Sequence, residues 1–398
     1  MKMLLKIKKH YFWLLFITVF MAACSKDTPE PVLPDLPPPP GGEGNPQVAI
    51  AALDNDIAAF MSRFNVPGLS LAVTKNGKLV YAKGYGVQDQ EMMVPVDTSN
   101  LFRIASLSKF ITATGIMQFI ESGDLHMNDK VFGPGAVLGT EYGTLPYPTR
   151  VSNITIKNLL QHEIGGWGNA SSDPAFAQSS LNRKDLISWA IDNRPLTDDP
   201  GTKLDYSNLG YMILGQVIEK LSGQDYESYI RENVLEPSGV ENMQVAGSKL
   251  ADRKVNEVKY YGQNGQNPYG YADGMLARIH PAGGWIASAI DLLRIMTHID
   301  GFTTVPDILQ PSTLTIMTTP SNNSVYASGL RVNGSNNWWH GGSLSGTRTW
   351  IVRAANGYCW SILTNTRSTD SDFTTALDRL VWPSVNDQST PWPDVDLF

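Results

Sequence analysis

Apolar residues recur at helical spacing through residues 48–63 (Ile50, Leu53, Ile57, Phe60 and Met61), which predicts an amphipathic helix that stops before Pro67-Gly68. Residues 69–74 and 79–85 read as strands, and Asn76-Gly77 between them predicts a tight hairpin. From residue 110 the period changes back: Phe110, Ala113, Met117 and Ile120 share a face of a helix that is apolar around most of its circumference, with Gly123 as its stop. Such a helix belongs inside a domain rather than on its surface. Residues 128–300 read as helical patches and long loops: an amphipathic turn at 156–162, helices at 183–193 and 209–221 (the latter capped near Ser207 or Asn208 and ended by Gly223), and one at 288–299 led by Gly283-Gly284-Trp285. The pattern then returns to strands at 328–332, 338–340, 347–354 and 358–365, with Asn356-Gly357 as a second hairpin signal. A helix at 373–380 follows, and residues 382–398 read as a surface tail. Early and late strands combine most simply into one antiparallel sheet flanked by helices, with a mainly helical lobe inserted beside it, an α+β fold. A site would fall between sheet and lobe, where the helix after residue 105 runs.

The first residues do not fit that scheme. Lys2, Lys6, Lys8 and Lys9 precede a short apolar stretch at 11–20, and Met21-Ala22-Ala23 leads into Cys24. The stretch is too short for an ordinary membrane-spanning helix. It predicts a signal peptide at 1–23, and the small residues before Cys24 make it similar to a bacterial lipoprotein signal, in which that cysteine is the lipidated first residue. Residues 24–47 then form a tether with eight prolines and Gly41-Gly42-Glu43-Gly44. At about 3.1 Å per residue such a chain reaches roughly 70 Å. The other cysteine, Cys359, has no partner if Cys24 is lipidated, and it reads as a small buried hydrophobe.

Over all 398 residues, 42% are hydrophobic and 17% charged, which is enough apolar mass for a large core. The formal charge of −7 argues against a nucleic-acid partner. His162-Glu163 lacks a second histidine at zincin spacing and there is no cysteine cluster, so neither a metal nor another cofactor is expected. His126, His280 and His298 read as structural or surface residues. Of Trp338 and Trp339 only one can face a cleft if they lie on a strand.

Three short patterns carry candidate chemistry. Ser106 and Lys109 lie one turn apart, so the serine and the lysine face the same point. Tyr206 and Asn208 immediately precede the helix at 209–221 and present a phenol and an amide from a loop. A tyrosinate, or a tyrosine sharing its proton, beside a lysine can take the serine's proton, since a nearby cation favours the phenolate. His340-Gly341-Gly342 then puts a side chain into the cleft from an edge strand, with glycines that let a substrate approach the backbone.

In that order, Ser106-x-x-Lys109, Tyr206-x-Asn208 and His340-Gly341-Gly342 resemble the serine β-lactamase and penicillin-binding protein superfamily. The tyrosine form is similar to the class C β-lactamase-related branch, which includes esterases and D-amino-acid peptidases. Pro67-Gly68, Phe102-Arg103-Ile104-Ala105-Ser106, Leu159-Leu160-Gln161-His162 and Gly283-Gly284-Trp285-Ile286-Ala287-Ser288 extend the resemblance over residues 48–382, leaving 383–398 as the tail. It implies a three-layer α/β/α β-lactamase/transpeptidase-like fold and an acyl-enzyme on Ser106. It further implies that Lys109 helps remove the serine proton, and that Tyr206 passes it to the leaving group and then helps activate water. Asn208 would bond substrate or lysine, and the backbone N–H groups of Ser106 and Ser343 would form the oxyanion hole. The sequence departs from the pattern at two places. His340 stands where β-lactamases commonly have lysine, and His162-Glu163-Ile164-Gly165-Gly166 replaces a usual His-Thr-Ser-Gly.

A neutral histidine at 340 suits an ester or amide better than the carboxylate of a β-lactam or peptide terminus. The expectation is therefore a cofactor-free serine hydrolase of small esters, amides or peptides, monomeric and membrane-tethered in a bacterial cell envelope, facing the periplasm or the surface. The alternatives are a D-Ala-D-Ala carboxypeptidase, a β-lactamase, or a penicillin-binding sensor that acylates without turnover. Replacing Cys24 by Ser should move the protein from the membrane pellet to the soluble fraction; retention in the pellet would overturn the lipoprotein reading.

Overall fold

The computed structural model describes residues 49–398; the signal segment, Cys24 and the tether lie outside the described residues. Helix α1 (Ala51–Phe64) leads into β1 (Gly68–Lys75) and β2 (Lys78–Asp89), joined at Asn76-Gly77, and a short β3 (Val94–Pro95). The buried helix is α2 (Ser108–Ser122). The lobe contains α3 (Arg183–Asn193) and α4 (Asn208–Ser222), and α5 (Ala289–Thr297) closes it. Then come β4 (Arg331–Val332), β5 (Trp338–Leu344), β6 (Thr347–Arg353) and β7 (Tyr358–Thr364), followed by α6 (Phe373–Arg379) and α7 (Trp382–Asn386).

The seven strands form one sheet in the order β3-β2-β1-β7-β6-β5-β4, antiparallel throughout. β1 pairs with β7 from Leu69↔Thr364 to Lys75↔Tyr358, which joins the first strand of this sheet to its last in chain order. The expected single sheet of early and late strands is therefore present, and its two end strands are only two residues long. Both faces are covered, so the central strands read as nearly continuous apolar runs. Their alternation still sorts two cores. Leu69, Leu71, Val73, Trp350, Val352, Trp360 and Ile362 face α1 and α6, whereas Ala72, Ile351, Cys359 and Leu363 face the larger core built with α2, α4 and α5. Cys359 is a buried free thiol, and burial pushes its pKa up.

The structure differs from the sequence reading at three places in this C-terminal part. Residues 328–330 are not strand, because β4 is confined to Arg331–Val332. The strand expected at 338–340 runs on through both glycines to Leu344. The tail carries a further helix, α7, and returns to the sheet: the Leu397 N–H donates to the Leu79 carbonyl and Asp396 accepts from the Leu79 N–H.

The outer layer is locked by aromatics. Phe373 of α6 lies 5.4 Å from Phe60 and 5.2 Å from Phe64 of α1, ring centre to ring centre. Phe373→Ala should cost about 3–4 kcal/mol, through lost burial and an unfilled cavity. Denaturant unfolding measures this, and a loss below about 1 kcal/mol would mean that α6 does not hold α1 in place.

Candidate active site

The segment that delivers Ser106 is fixed before it becomes helix. Phe102 and Arg103 pair with Ala287 and Ile286, and the Ile104 N–H donates to the Trp285 carbonyl at 3.0 Å. From the sheet side, the Thr347 hydroxyl donates to the Arg103 carbonyl and the Thr349 hydroxyl to the Ile104 carbonyl, both at 2.9 Å. Gripped from both sides, the chain turns through Ala105 at φ 50°. That left-handed conformation costs a residue with a Cβ about 1–3 kcal/mol. Ser106 lies in the resulting 3₁₀ turn, Ala105–Leu107, and Ser108 closes it by donating its hydroxyl to the Ala105 carbonyl at 2.8 Å.

Lys109 is fully buried. Its Nζ lies 3.2 Å from Ser106 Oγ, 2.8 Å from Asn208 Oδ1 and 2.6 Å from the Ala282 carbonyl. Asn208 cannot turn its amide the other way, because Nδ2 donates to Asp173 at 3.0 Å. The same carboxylate accepts the backbone N–H groups of Asn208 and Leu209 at the start of α4, where the helix dipole favours negative charge. Burial lowers the Lys109 pKa to about 7, and the Asp173 charge works against that fall. Burial in turn raises the Asp173 pKa, with its backbone hydrogen bonds opposing.

Tyr206 faces the same point, with Lys109 Nζ 4.8 Å from its ring centre. Of the two forms expected for Tyr206, the geometry argues against the tyrosinate. Burial pushes the phenol above its ordinary value, and the contact with Ser106 only partly offsets this, so Tyr206 is protonated. Desolvation outweighs the attraction of the nearby cations Arg331 and Arg348, which the Asp173 charge also opposes. Behind Tyr206, the His162 ring is centred 4.1 Å away, and its Nδ1 accepts the Ser207 N–H at 3.0 Å. The residue that packs on the tyrosine is thus the histidine that the usual pattern also has, and the departure begins beyond it, at Glu163.

His340 lines the cleft, but both of its nitrogens are engaged. The Gly341 carbonyl, 2.8 Å from Nδ1, can only accept, so Nδ1 carries the proton and Nε2 accepts from the Tyr326 hydroxyl at 2.7 Å. Burial, then Lys109 and Arg331, lower its pKa to about 3. The expected neutral histidine is thus neutral by enclosure rather than by its ordinary pKa. The two glycines also have a different cause from the one expected. A Cβ at Gly341 would lie 2.3 Å from the Trp350 ring, and one at Gly342 would lie 2.3 Å from the Ile104 carbonyl. They let β5 pass close to the nucleophile turn and to a neighbouring tryptophan.

Ser106, Tyr206, Asn208, His340, Gly341 and Ser343 line one cleft of about 570 Å³. Lys109 lies behind its wall, and Gly342 faces the Ser106 turn. Trp339 lines the cleft while Trp338 is buried on the opposite side, as strand alternation requires. His280 is held by Arg183 and stacks on Tyr226, His298 bonds the Arg294 carbonyl, and His126 is exposed; none lines the cleft. Sequence reasoning missed Asp173, Arg331, Arg348 and Trp350. For Arg348 and Trp350 a signal existed in the period of two along β6, which puts both on the face opposite Thr347 and Thr349. Asp173, in a loop far from any motif, gave none.

The comparisons with known proteins fit this geometry. Protein flp of Staphylococcus aureus (strain MW2) is 31% identical over 185 residues, 46% of this chain and 36% of that protein, so the match spans about a third of the relative's length. Two solved structures share the fold. An octameric penicillin-binding protein homologue from Pyrococcus abyssi has a TM-score of 0.68 at 23% identity, covering 84% of this chain and 78% of that one. The D-amino acid amidase from Ochrobactrum anthropi SV3 has a TM-score of 0.67 at 20% identity, covering 84% and 98%. The model of the Beta-lactamase family matches residues 53–381, nearly all of the described chain, and the protein belongs to that family.

Proposed function

We propose that the protein is a serine hydrolase that cleaves small esters or amides through an acyl-enzyme on Ser106. One observation carries this reading: the set of partners around Lys109 Nζ. Two of them, Asn208 Oδ1 and the Ala282 carbonyl, can only accept hydrogen bonds, while the third, Ser106 Oγ, can donate. A neutral amine has two N–H groups for the two acceptors and one lone pair left, which falls to Ser106. With a pKa of about 7, that neutral form is available at physiological pH.

In the proposed reaction, the Ser106 proton moves to Lys109 as Oγ bonds to the substrate carbonyl carbon. The backbone N–H groups of Ser106 and Ser343 are assigned to the oxyanion, an arrangement whose donors are each worth on the order of 10²–10³ in rate. Tyr206, protonated and facing the same point, passes a proton to the departing alkoxide or amine and is reprotonated from the lysine side. Water then repeats the sequence on the acyl-enzyme. Asn208 holds the lysine. The rings of His340 and Tyr326 lie 6.2 and 6.0 Å from the Tyr206 ring centre and pack beside it, and Gly341 and Gly342 keep β5 close. The solved D-amino acid amidase with this fold supports including amides beside esters. The lysine-rich start, the apolar stretch and Cys24 support a lipoprotein held at a bacterial membrane by the tether.

Ser106→Ala should lower turnover of a p-nitrophenyl ester by at least ~10³-fold and abolish any acyl adduct in the intact mass. Turnover at the parent rate would end the nucleophile assignment. A second expectation concerns pH. The reactive form has neutral Lys109, so kcat/KM should rise with pH through an apparent pKa near 7 and level off above it. The Asp173 charge holds the lysine pKa up, so Asp173→Asn should move that rising limb to lower pH. A profile flat from pH 6 to 8, or a limb moved upward, would remove Lys109 as the base.

A further inference from the structure

Asp173 holds the Asn208 amide, and Asp173 must itself be held. It heads a loop, residues 173–181, that begins as the 3₁₀ turn Pro174–Phe176, and it caps that turn by accepting the Ala175 N–H at 2.9 Å. Two more bonds stay inside the loop: the Ala177 N–H donates to the Pro174 carbonyl and the Leu181 N–H to the Gln178 carbonyl. Gln178 sits at φ 45°, a conformation that a residue with a Cβ keeps only when its surroundings impose it. Such a loop needs an anchor outside itself.

One side chain supplies it. Arg278 Nη1 donates to the carbonyls of Gln178 and Leu181, both at 2.8 Å, and Nη2 donates to those of Ala175 and Ala177, both at 3.1 Å. Among the described residues, no other hydrogen bond ties 174–181 to the rest of the protein. Arg194 reaches only Ser171 and Ser172, ahead of Asp173. Arg278 is buried, and among the described residues it has no carboxylate within ion-pair distance. Burying a cation without an opposite charge is costly, so four terminal N–H groups spent on one loop's backbone call for a reason.

The place of Arg278 in the chain supplies one. It ends the helical turn Met275–Arg278, and the next turn, His280–Gly283, carries the Ala282 carbonyl that accepts from Lys109 at 2.6 Å. Arg183 ties the two turns together: its Nε donates to the Arg278 carbonyl at 3.1 Å, and its Nη2 lies 2.7 Å from His280 Nε2. The segment 275–283 therefore reaches Lys109 by two routes. One is direct, through Ala282; the other runs through Arg278, the loop, Asp173 and Asn208.

We propose that Arg278 is a positioning residue: it holds the loop 173–181 in the conformation that keeps Asp173 on the start of α4 and Asn208 on Lys109. The consequence is electrostatic as well as steric. Among the described residues, the Asp173 carboxylate is the charge that supports a proton on Lys109. The other titratable groups facing the amine, Tyr206, Tyr211, His162 and His340, are kept uncharged by burial. If the loop let Asp173 swing away, Asn208 would be free to turn and the lysine would hold its proton less firmly. The alternative is that Arg278 only adds to overall stability.

The proposal rests on Lys109 as the base of the Ser106 reaction, so one of its two readouts needs no turnover. Hydrogen–deuterium exchange on the purified full chain compares the parent with Arg278→Met. Peptides covering 173–181 and the start of α4 should exchange faster in the variant by about tenfold or more, while α2 is unchanged. Equal rates in those peptides, or a rise by the same factor in α2, overturn the proposal. The second readout is the pH profile of kcat/KM with a p-nitrophenyl ester. Arg278→Met should lower the plateau about tenfold and move the rising limb down by about 0.5–1 pH unit, in the direction expected for Asp173→Asn. In the Asp173→Asn background it should move the limb no further, because the charge it positions is gone. A limb that stays, moves up, or moves again by the same amount in the double variant overturns the proposal. Arg278→Lys keeps a donor but reaches fewer carbonyls, so it should fall between the parent and Arg278→Met in both readouts. It carries the comparison if Arg278→Met does not fold. A flat profile in the parent strikes Lys109 as the base, and the exchange comparison alone then decides whether Arg278 holds the loop.

Discussion

The structure depends on accommodating one amine. Lys109 Nζ is sealed from water, and each of its three partners comes from a different part of the chain: the 3₁₀ turn before α2, the first residue of α4, and the short helical turn at His280–Gly283 that holds Ala282. Moving any of these segments would leave a buried donor or acceptor unpaired, which costs about 1–3 kcal/mol for a neutral group and more for a charge. The amine thus acts as a register pin for sheet-side and lobe-side elements together. The same enclosure weakens its hold on a proton, so one constraint supplies both position and reactivity.

The sheet matters to the chemistry through β6 more than through β5. Thr347 and Thr349 point inward and occupy the carbonyls of Arg103 and Ile104, so the backbone entering the nucleophile turn cannot relax. That anchoring lets Ala105 remain in a left-handed conformation, and the turn presents Ser106 at the mouth of α2 instead of inside it. On the opposite face of β6, Trp350 joins the outer core and fills the space above Gly341. Stability of the outer layer and placement of the site are therefore coupled across one strand, through its period of two.

Much of this was legible along the chain, for reasons that are local. The hairpin at Asn76-Gly77, the Ser207 cap and Gly223 stop of α4, and the bounds of α3 are short-range events written in neighbouring residues. The triad of patterns was legible because each partner sits at a fixed offset within its own segment. What escaped was long-range. Asp173 matters because a loop folds over the start of α4, and no spacing in the sequence records that contact. The sequence could not choose between a tyrosinate and a shared proton at Tyr206, because charge proximity can be guessed from a motif, whereas desolvation depends on everything packed around the ring. The glycines after His340 were read toward the substrate when the objects they accommodate, Trp350 and the Ile104 carbonyl, belong to the protein.

Enclosure also simplifies the electrostatics. His340 is held neutral by burial, Lys109 and Arg331, and His162 by burial, Lys109 and His340. Burial keeps the Tyr206 proton in place. Each of these groups, left in water, would be able to exchange a proton somewhere between weakly acidic and basic pH. Packed together, they are pushed to the form without charge, because charging any one would add repulsion or lose solvation with nothing in return. Lys109 is then the member of the cluster whose protonation changes near neutrality. The aromatic and imidazole shell around it is therefore part of the base: by refusing charge itself, it leaves the proton equilibrium of the site to a single nitrogen beside Ser106.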